Sequence, residues 1–473
     1  MVFTSAVFLF VFLPVCLIAY FAASRVPGIR LRNLVLLGIS LAFYAWSGVG
    51  FCLLLMVSTV LNYWCGLAID RAKVKGQKQA RTALTFCVIY NLLLLGVFKY
   101  FNFFAANFET LIGWWSPGFH LNAPVIPLPV GISFYTFQIL SYQIDLYRGK
   151  AGVQKNILDL GLYIMLFPQL IAGPIVRYVD VEREISCRRT DFSSFAHGTR
   201  RFMAGFSKKI LLADRAGALA EAILSQETLA MPWAWFGILC YVLQIYLDFS
   251  AYSDMAIGLG EIFGFHFLEN FIYPYTAKSV QEFWKRWHIS LSGWFRDYVY
   301  IPLGGSRKGT FCTYRNLLIV FFLTGLWHGA GWTFIMWGLL NGVFICLERA
   351  GGIRILEKLP GPVRRIYVMA VFSVTLVFFY FDTMGGALGY LRKMLSFDFT
   401  ALRDISVLGL FNWETAFFLC AAVIGCTPVC QRIRERLGER AEDLAYWVMP
   451  PVFGLAVCYM MSSGFNPFIY FRF

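Results

Sequence analysis

The chain runs to 473 residues, of which 59% are hydrophobic, 18% aromatic and only 14% charged, with a formal net charge of +14. A soluble domain carries about 25% charged residues, so these proportions exclude a soluble enzyme and indicate a polytopic membrane protein, most simply one all-α domain over 1–473. The basic residues lie in short loops between apolar segments, where Lys and Arg mark the cytoplasmic side. Topology therefore accounts for the charge, and no nucleic-acid partner is implied.

The first apolar segment, Phe3 to Ala23, has no basic residue before it and no standout cleavage site. It is long enough to span a bilayer and predicts a retained first helix. Segments near 33–47 and 50–69 follow. The loop after them holds Arg71, Lys73, Lys75, Lys78 and Arg81, the clearest cytoplasmic marker in the chain. A helix near 83–105 leads to a stretch, 106–127, without Lys or Arg, which places that loop and the N-terminus outside. The next helix, near 128–147, returns to Arg148, Lys150 and Lys155.

Residues 157–176 are apolar but interrupted by Pro168, Gly173 and Pro174, which predicts a broken or re-entrant helix. Irregular backbone at that depth survives only under protein or beside a water-filled cavity. From Phe195 to Ile210, Phe195, Phe202 and Phe206 alternate with Arg200, Arg201, Lys208 and Lys209, the pattern of an in-plane helix on anionic lipid. Crossings near 210–228 and 233–262 precede a basic region from 278. The run 316–348 has basic residues at both ends, so it predicts a hairpin bent near Gly329–Gly331. Three further crossings, near 366–382, 412–430 and 445–462, leave the C-terminus outside. The total is roughly ten or eleven crossings, with no internal repeat.

Within that hairpin, His328 lies among Gly325, Gly329 and Gly331, with Trp327, Trp332 and Trp337 nearby. An ionisable side chain at membrane depth is a functional candidate by default, and imidazole is suited to accepting a proton near neutral pH. The plainer alternative is a neutral histidine bonded to a backbone carbonyl. His288 shares a helical face with Trp284, Leu291, Phe295 and Tyr298, opposite Lys285, Arg286, Ser292 and Arg296. It projects from the apolar side of what is otherwise an interfacial amphipathic helix. His120, His197 and His266 carry no special assignment. Asp248 and Asp254 are costly at depth unless paired; a proton or ion relay and a helix-bridging role are both open, with Arg148 and Arg177 as available partners. The twelve cysteines show no metal-like spacing, and Cys426 and Cys430 are expected to be small core residues, so no metal is expected.

FWKRWHISLSGWFRDYVYIPLGG and LTGLWHGAGWTFIMWGLLNG, in the central signature region 278–348, closely resemble the two central signatures of the membrane-bound O-acyltransferase family. LPVGISFYTFQILSYQIDLYRG, FPQLIAGPIVR, LDFSAYSDMAIG and the terminal FNPFIYFRF are similar to its bacterial branch of alginate and exopolysaccharide O-acetyltransferase membrane subunits. The group that D-alanylates teichoic acid is more distant. The resemblance covers nearly the whole chain.

It implies helices around a thin centre crossed by a tunnel, His328 at the family's essential histidine, and His288 at its second active-site position. It further implies acyl transfer from a cytosolic thioester, acetyl-CoA as co-substrate, with His328 as general base and no bound cofactor. The acceptor is a hydroxyl of an exported polysaccharide or of a secreted SGNH-hydrolase-like acetyltransferase partner. Trp327 and Trp332 would wall the tunnel, and Asn341 or His288 would donate to the oxyanion. Lys285, Arg286, Arg307 and Lys308 would steer the anionic donor or anchor lipid phosphates. The tail 465–473 is an interfacial anchor or folds into the outer mouth, where Tyr470 binds or relays the acyl group. Such a protein belongs in a bacterial inner membrane, among lipids. A transporter or flippase, or a scaffold for an outer-face acetyltransferase, are the competing readings.

Overall fold

A computed structural model describes residues 1–400, 409 and 412–462; Tyr470 and the tail 465–473 lie outside them. The described residues form helices and connecting loops only, in two compact units. Among the described residues seven helices are long and apolar enough to cross a bilayer, or eight if the pair Trp413–Gly425 and Val429–Leu437, bent by 69°, is one span. The chain is a multi-pass membrane protein. The larger expected count included segments near 3–23, 33–47 and 128–147, which form helices Phe8–Ala23 (α1), Arg30–Ala45 (α2) and Ile132–Arg148. At about 1.5 Å per residue these fall short of a ~30 Å hydrocarbon layer.

The first unit comprises mainly residues 7–192. In it α3 (Val49–Lys75) and α4 (Gln77–Gly113) pair through reciprocal side-chain amide bonds between Asn62 and Asn91, at 3.1 and 2.8 Å. Burying two amides this way satisfies donors that would otherwise be stranded. Helix α5 (Ile132–Arg148) is buried along nearly its whole length. It starts after Gly131, at φ 78°, whose missing side chain lets the turn approach the Leu170 carbonyl. The broken segment has the expected form: a helix α6 (Ile157–Met165), one turn at Phe167–Leu170, then buried non-helical backbone to Val176. Tyr163 donates to the Val176 carbonyl at 3.1 Å, and Gln169 donates to the Tyr163 carbonyl at 2.6 Å. Side chains thus satisfy the carbonyls at the two ends of the irregular stretch. A helix α7 (Tyr178–Ser186) follows.

The second unit holds most of the chain from Ser193 onward. Its axis is α10 (Met231–Ile262), the most buried of the candidate spans. Against it lies α8 (Phe192–Ser207), followed by a π-helical turn, Lys208–Ala213, and α9 (Asp214–Leu224). Gly198, Gly205 and Gly258 allow the α8 and α10 backbones to meet, since a Cβ at Gly198 would stand 2.6 Å from the Gly258 carbonyl oxygen. This corrects the expected in-plane helix. Arg201 and Lys208 turn inward to Asp254, and Lys209 to Asp248 and Asp214, so these charges meet carboxylates of their own unit.

Next come α11 (Val280–Arg286), α12 (Ile289–Phe295), α13 (Thr310–His328) and α14 (Trp332–Leu347). The expected hairpin is α13 and α14. A Cβ at Gly325 would lie 2.5 Å from the Phe334 carbonyl oxygen, and one at Gly338 would run into the Phe321 carbonyl. Glycine at both positions therefore brings the two helices to near backbone contact. Helix α15 (Gly361–Tyr380) packs beside α14 and brings Phe379 to its open end.

Candidate active site

Both histidines singled out from the sequence lie in the second unit, and one tryptophan stands between them. His328 is the last residue of α13 and is 3% exposed. Its ring meets Trp327 and Trp337 edge to face at centroid distances of 4.9 Å each, and Phe379 at 5.3 Å. The next residue has to be glycine, because a Cβ at Gly329 would collide with the Phe334 ring. Trp327 also meets the His288 ring at 5.9 Å. Trp332 opens α14 and is 58% exposed, so the third wall of the cage is Phe379 rather than Trp332.

His288 departs from the continuous amphipathic helix expected around it. The helix stops at Arg286, and His288 takes a left-handed conformation, φ 44°, before α12 begins. A non-glycine residue there is strained and persists only where its surroundings over-determine it. Here they do. The Asn270 side-chain oxygen accepts from the Ser290 amide at 3.1 Å, from the Ser290 hydroxyl at 2.9 Å, and meets His288 Nδ1 at 3.2 Å. The Ser290 amide can only donate, which fixes that Asn270 atom as the acceptor and makes His288 Nδ1 a donor. The neutral ring then carries its lone pair on Nε2. His288 lies outside the crossing helices and is 0% exposed, and burial pushes its pKa down to about 3. It is a neutral acceptor, not the donor that the sequence allowed.

Glu348, just beyond α14, accepts from the amides of Val280 at 2.6 Å and Gln281 at 3.0 Å. A buried carboxylate on a helix N-terminus satisfies orphan donors and complements the helix dipole. It ties the hairpin to the segment that carries His288. Neither Asn270 nor Glu348 was legible in the sequence, since nothing local marks a polar residue in a loop or a helix end as the partner of His288, 18 residues away, or of Val280, 68 residues away.

The remaining candidates divide. Asn341 is buried and donates from Nδ2 to the Trp337 carbonyl at 2.8 Å, a bond within α14. Asp248 is fully buried at 2.5 Å from Lys209, which also meets Asp214 at 2.6 Å. Asp254 meets Arg201 at 3.0 Å and Lys208. These partners make both aspartates helix-bridging groups. Lys285, Arg307 and Lys308 are exposed, whereas Arg286 is bound to Glu282 and to Thr276, the latter at 2.8 Å. The twelve cysteines are free; Cys426 is buried but Cys430 is exposed.

The family model for the membrane-bound O-acyltransferase family matches residues 36–389. The chain is 38% identical to the probable alginate O-acetylase AlgI of Azotobacter vinelandii, over all of both chains. It is 42% identical to the protein of the same name in Pseudomonas aeruginosa, over 90% of this chain and 80% of that one. It is 38% identical to the peptidoglycan O-acetyltransferase of Helicobacter pylori, over 74% of this chain and 71% of that one.

Proposed function

The chain belongs to the membrane-bound O-acyltransferase family, and from that premise we propose that it carries acetyl groups from cytosolic acetyl-CoA to a hydroxyl on the far side of a bacterial inner membrane, with His328 as general base. The observation that carries this reading is the imidazole at the tip of a glycine-packed hairpin, caged by Trp327, Trp337 and Phe379 and joined through Trp327 to a second buried histidine. His328 takes the proton from the acceptor hydroxyl as its oxygen attacks the thioester carbonyl. The carbon–sulfur bond breaks, and the departing thiolate takes that proton from His328. A positioned base contributes about 10²–10⁴-fold. The cation formed meanwhile lies at the C-terminal, negative end of the α13 dipole.

His288, held as a neutral acceptor by Asn270, is suited to hold the acceptor hydroxyl or the donor amide through Nε2. Exposed Lys285, Arg307 and Lys308 supply positive charge for the nucleotide end of the donor. The acceptor is an exported polysaccharide or a secreted SGNH-hydrolase-like acetyltransferase that completes the sugar transfer; the names of the relatives, acetylases of alginate and peptidoglycan, support a polymer outside the cell. Donor and acceptor then meet through a passage at His328, with both termini outside. A transporter would draw on Asp248 and Asp254 together with the broken helix and a tunnel; the pairing of the two aspartates with Lys209, Arg201 and Lys208 favours a structural role for them instead.

The test is polymer acetylation in cells carrying His328→Ala. Loss of acetylation with normal membrane abundance is expected, and normal acetylation rejects the role.

A further inference from the structure

Acyl transfer places negative charge on the thioester oxygen, and a site that accelerates it needs donors facing that oxygen. His288 cannot serve, because its N–H is committed to Asn270, and one of the two Asn341 Nδ2 hydrogens is spent within its own helix. Two other donors lie close by. The indole N–H groups of Trp337 and Trp284 are buried and have no hydrogen-bond partner among the described residues, in side chains 2% and 8% exposed. An indole nitrogen only donates, and an unpaired buried N–H costs stability that calls for an explanation. Their rings meet edge to face at 5.8 Å, and Trp337 is itself 4.9 Å from His328. Phe321, against Trp284 at 5.2 Å, and Phe379, against Trp337 at 5.1 Å, fix both indoles in place. Glu348 anchors the start of the short helix that carries Trp284.

We propose that Trp337 and Trp284 form the oxyanion site, their two indole N–H groups receiving the thioester carbonyl oxygen beside His328. This rests on the acetyl-transfer reading above. The acceptor oxygen adds to the carbonyl carbon, and its proton goes to His328. The carbonyl π pair moves onto oxygen, where the indoles hold it. That pair returns as the carbonyl re-forms, the carbon–sulfur bond breaks with its electrons on the CoA sulfur, and the sulfur takes the proton back. One ester and one free thiol result.

The experiment uses the full chain in inverted membrane vesicles, with acetyl-CoA and dithioacetyl-CoA as donors. Trp337→Phe and Trp284→Phe keep a ring and remove the donor. Each is expected to lower the saturated rate per mole of protein by about 10²–10³-fold while the donor KM moves less than about threefold. Sulfur accepts hydrogen bonds weakly, so the preference of the unaltered protein for the oxo donor should shrink in both variants. A merely structural wall would not change that preference. Rates within about threefold of the parent, or a loss of rate with the oxo-to-thiono preference unchanged, overturn the assignment. If Trp337→Phe does not accumulate in the membrane, Trp284→Phe decides by the same two readings. Absence of any transfer from acetyl-CoA by the unaltered protein instead overturns the acetyl-transfer reading, and this assignment with it.

Discussion

Three donors converge on the Asn270 oxygen, and that convergence fixes the tautomer and the strained backbone of His288. Asn270→Leu should leave those donors buried without their acceptor, at a cost of about 1–3 kcal/mol. A lower thermal midpoint in detergent together with a lower saturated rate is expected; an unchanged midpoint would deny the arrangement. His288 also gives the fold a pH dependence of known sign. Its folded pKa of about 3 lies below the ordinary 6.5, so the unfolded chain binds the extra proton between those values. Stability from this group is therefore complete above about pH 6.5 and is lost as pH falls towards 3. His288→Gln should flatten the fall of the thermal midpoint between pH 7 and 5, while a slope identical to that of the parent protein would contradict the burial of a neutral ring.

At the scale of elements, the hairpin depends on glycines that keep α13 and α14 at backbone contact. Gly338→Ala drives a methyl against the Phe321 carbonyl and should cost about 1–3 kcal/mol while displacing His328. Gly389, in a surface helix with open space around its missing side chain, is the control. Gly389→Ala should be neutral or stabilise by up to ~1 kcal/mol. Equal midpoints and rates for the two variants would show that the close approach is unimportant. Lys209→Met leaves the buried Asp248 and half-buried Asp214 without their shared cation, and the loss should be about 3–5 kcal/mol by the same melting measurement.

The hairpin and the broken helix were legible because Gly329–Gly331, Pro168 and Pro174 interrupt apolar runs, and interruption is a local property. The inward turn of Arg201, Lys208 and Lys209 was not. Amphipathic spacing is the same whether a basic face meets lipid phosphate or carboxylates on a neighbouring helix, and only packing decides. The break at His288 was hidden for a related reason: Trp284, Leu291 and Phe295 keep helical spacing across it, while its cause is Asn270, 18 residues upstream.

For the whole molecule, composition and loop charge specified a multi-pass membrane protein, and quoted motifs specified its family. Those signals are distributed along the chain and need no tertiary information. Crossing number was less legible, because the segments that form α1, α2 and α5 read as spans in the sequence, while the helices themselves are too short for a full layer. The proposed sidedness rests on the basic residues of 71–81, where α3 ends and α4 begins, with Lys75 exposed. With exposed Cys187, Cys420, Cys430 and Cys458 changed to serine, Lys75→Cys should react with an impermeant maleimide in inverted vesicles only. Reaction in right-side-out vesicles would invert the proposed topology. The central claim is a base at His328 that serves a donor on one side of the membrane and an acceptor on the other. The measurement that reaches it most directly supplies radiolabelled acetyl-CoA to the cytoplasmic face of inverted vesicles and counts label in the enclosed polymer and its partner proteins. Label should accumulate inside with the unaltered chain and vanish with His328→Ala at equal protein; accumulation at the same rate in that variant would contradict the account.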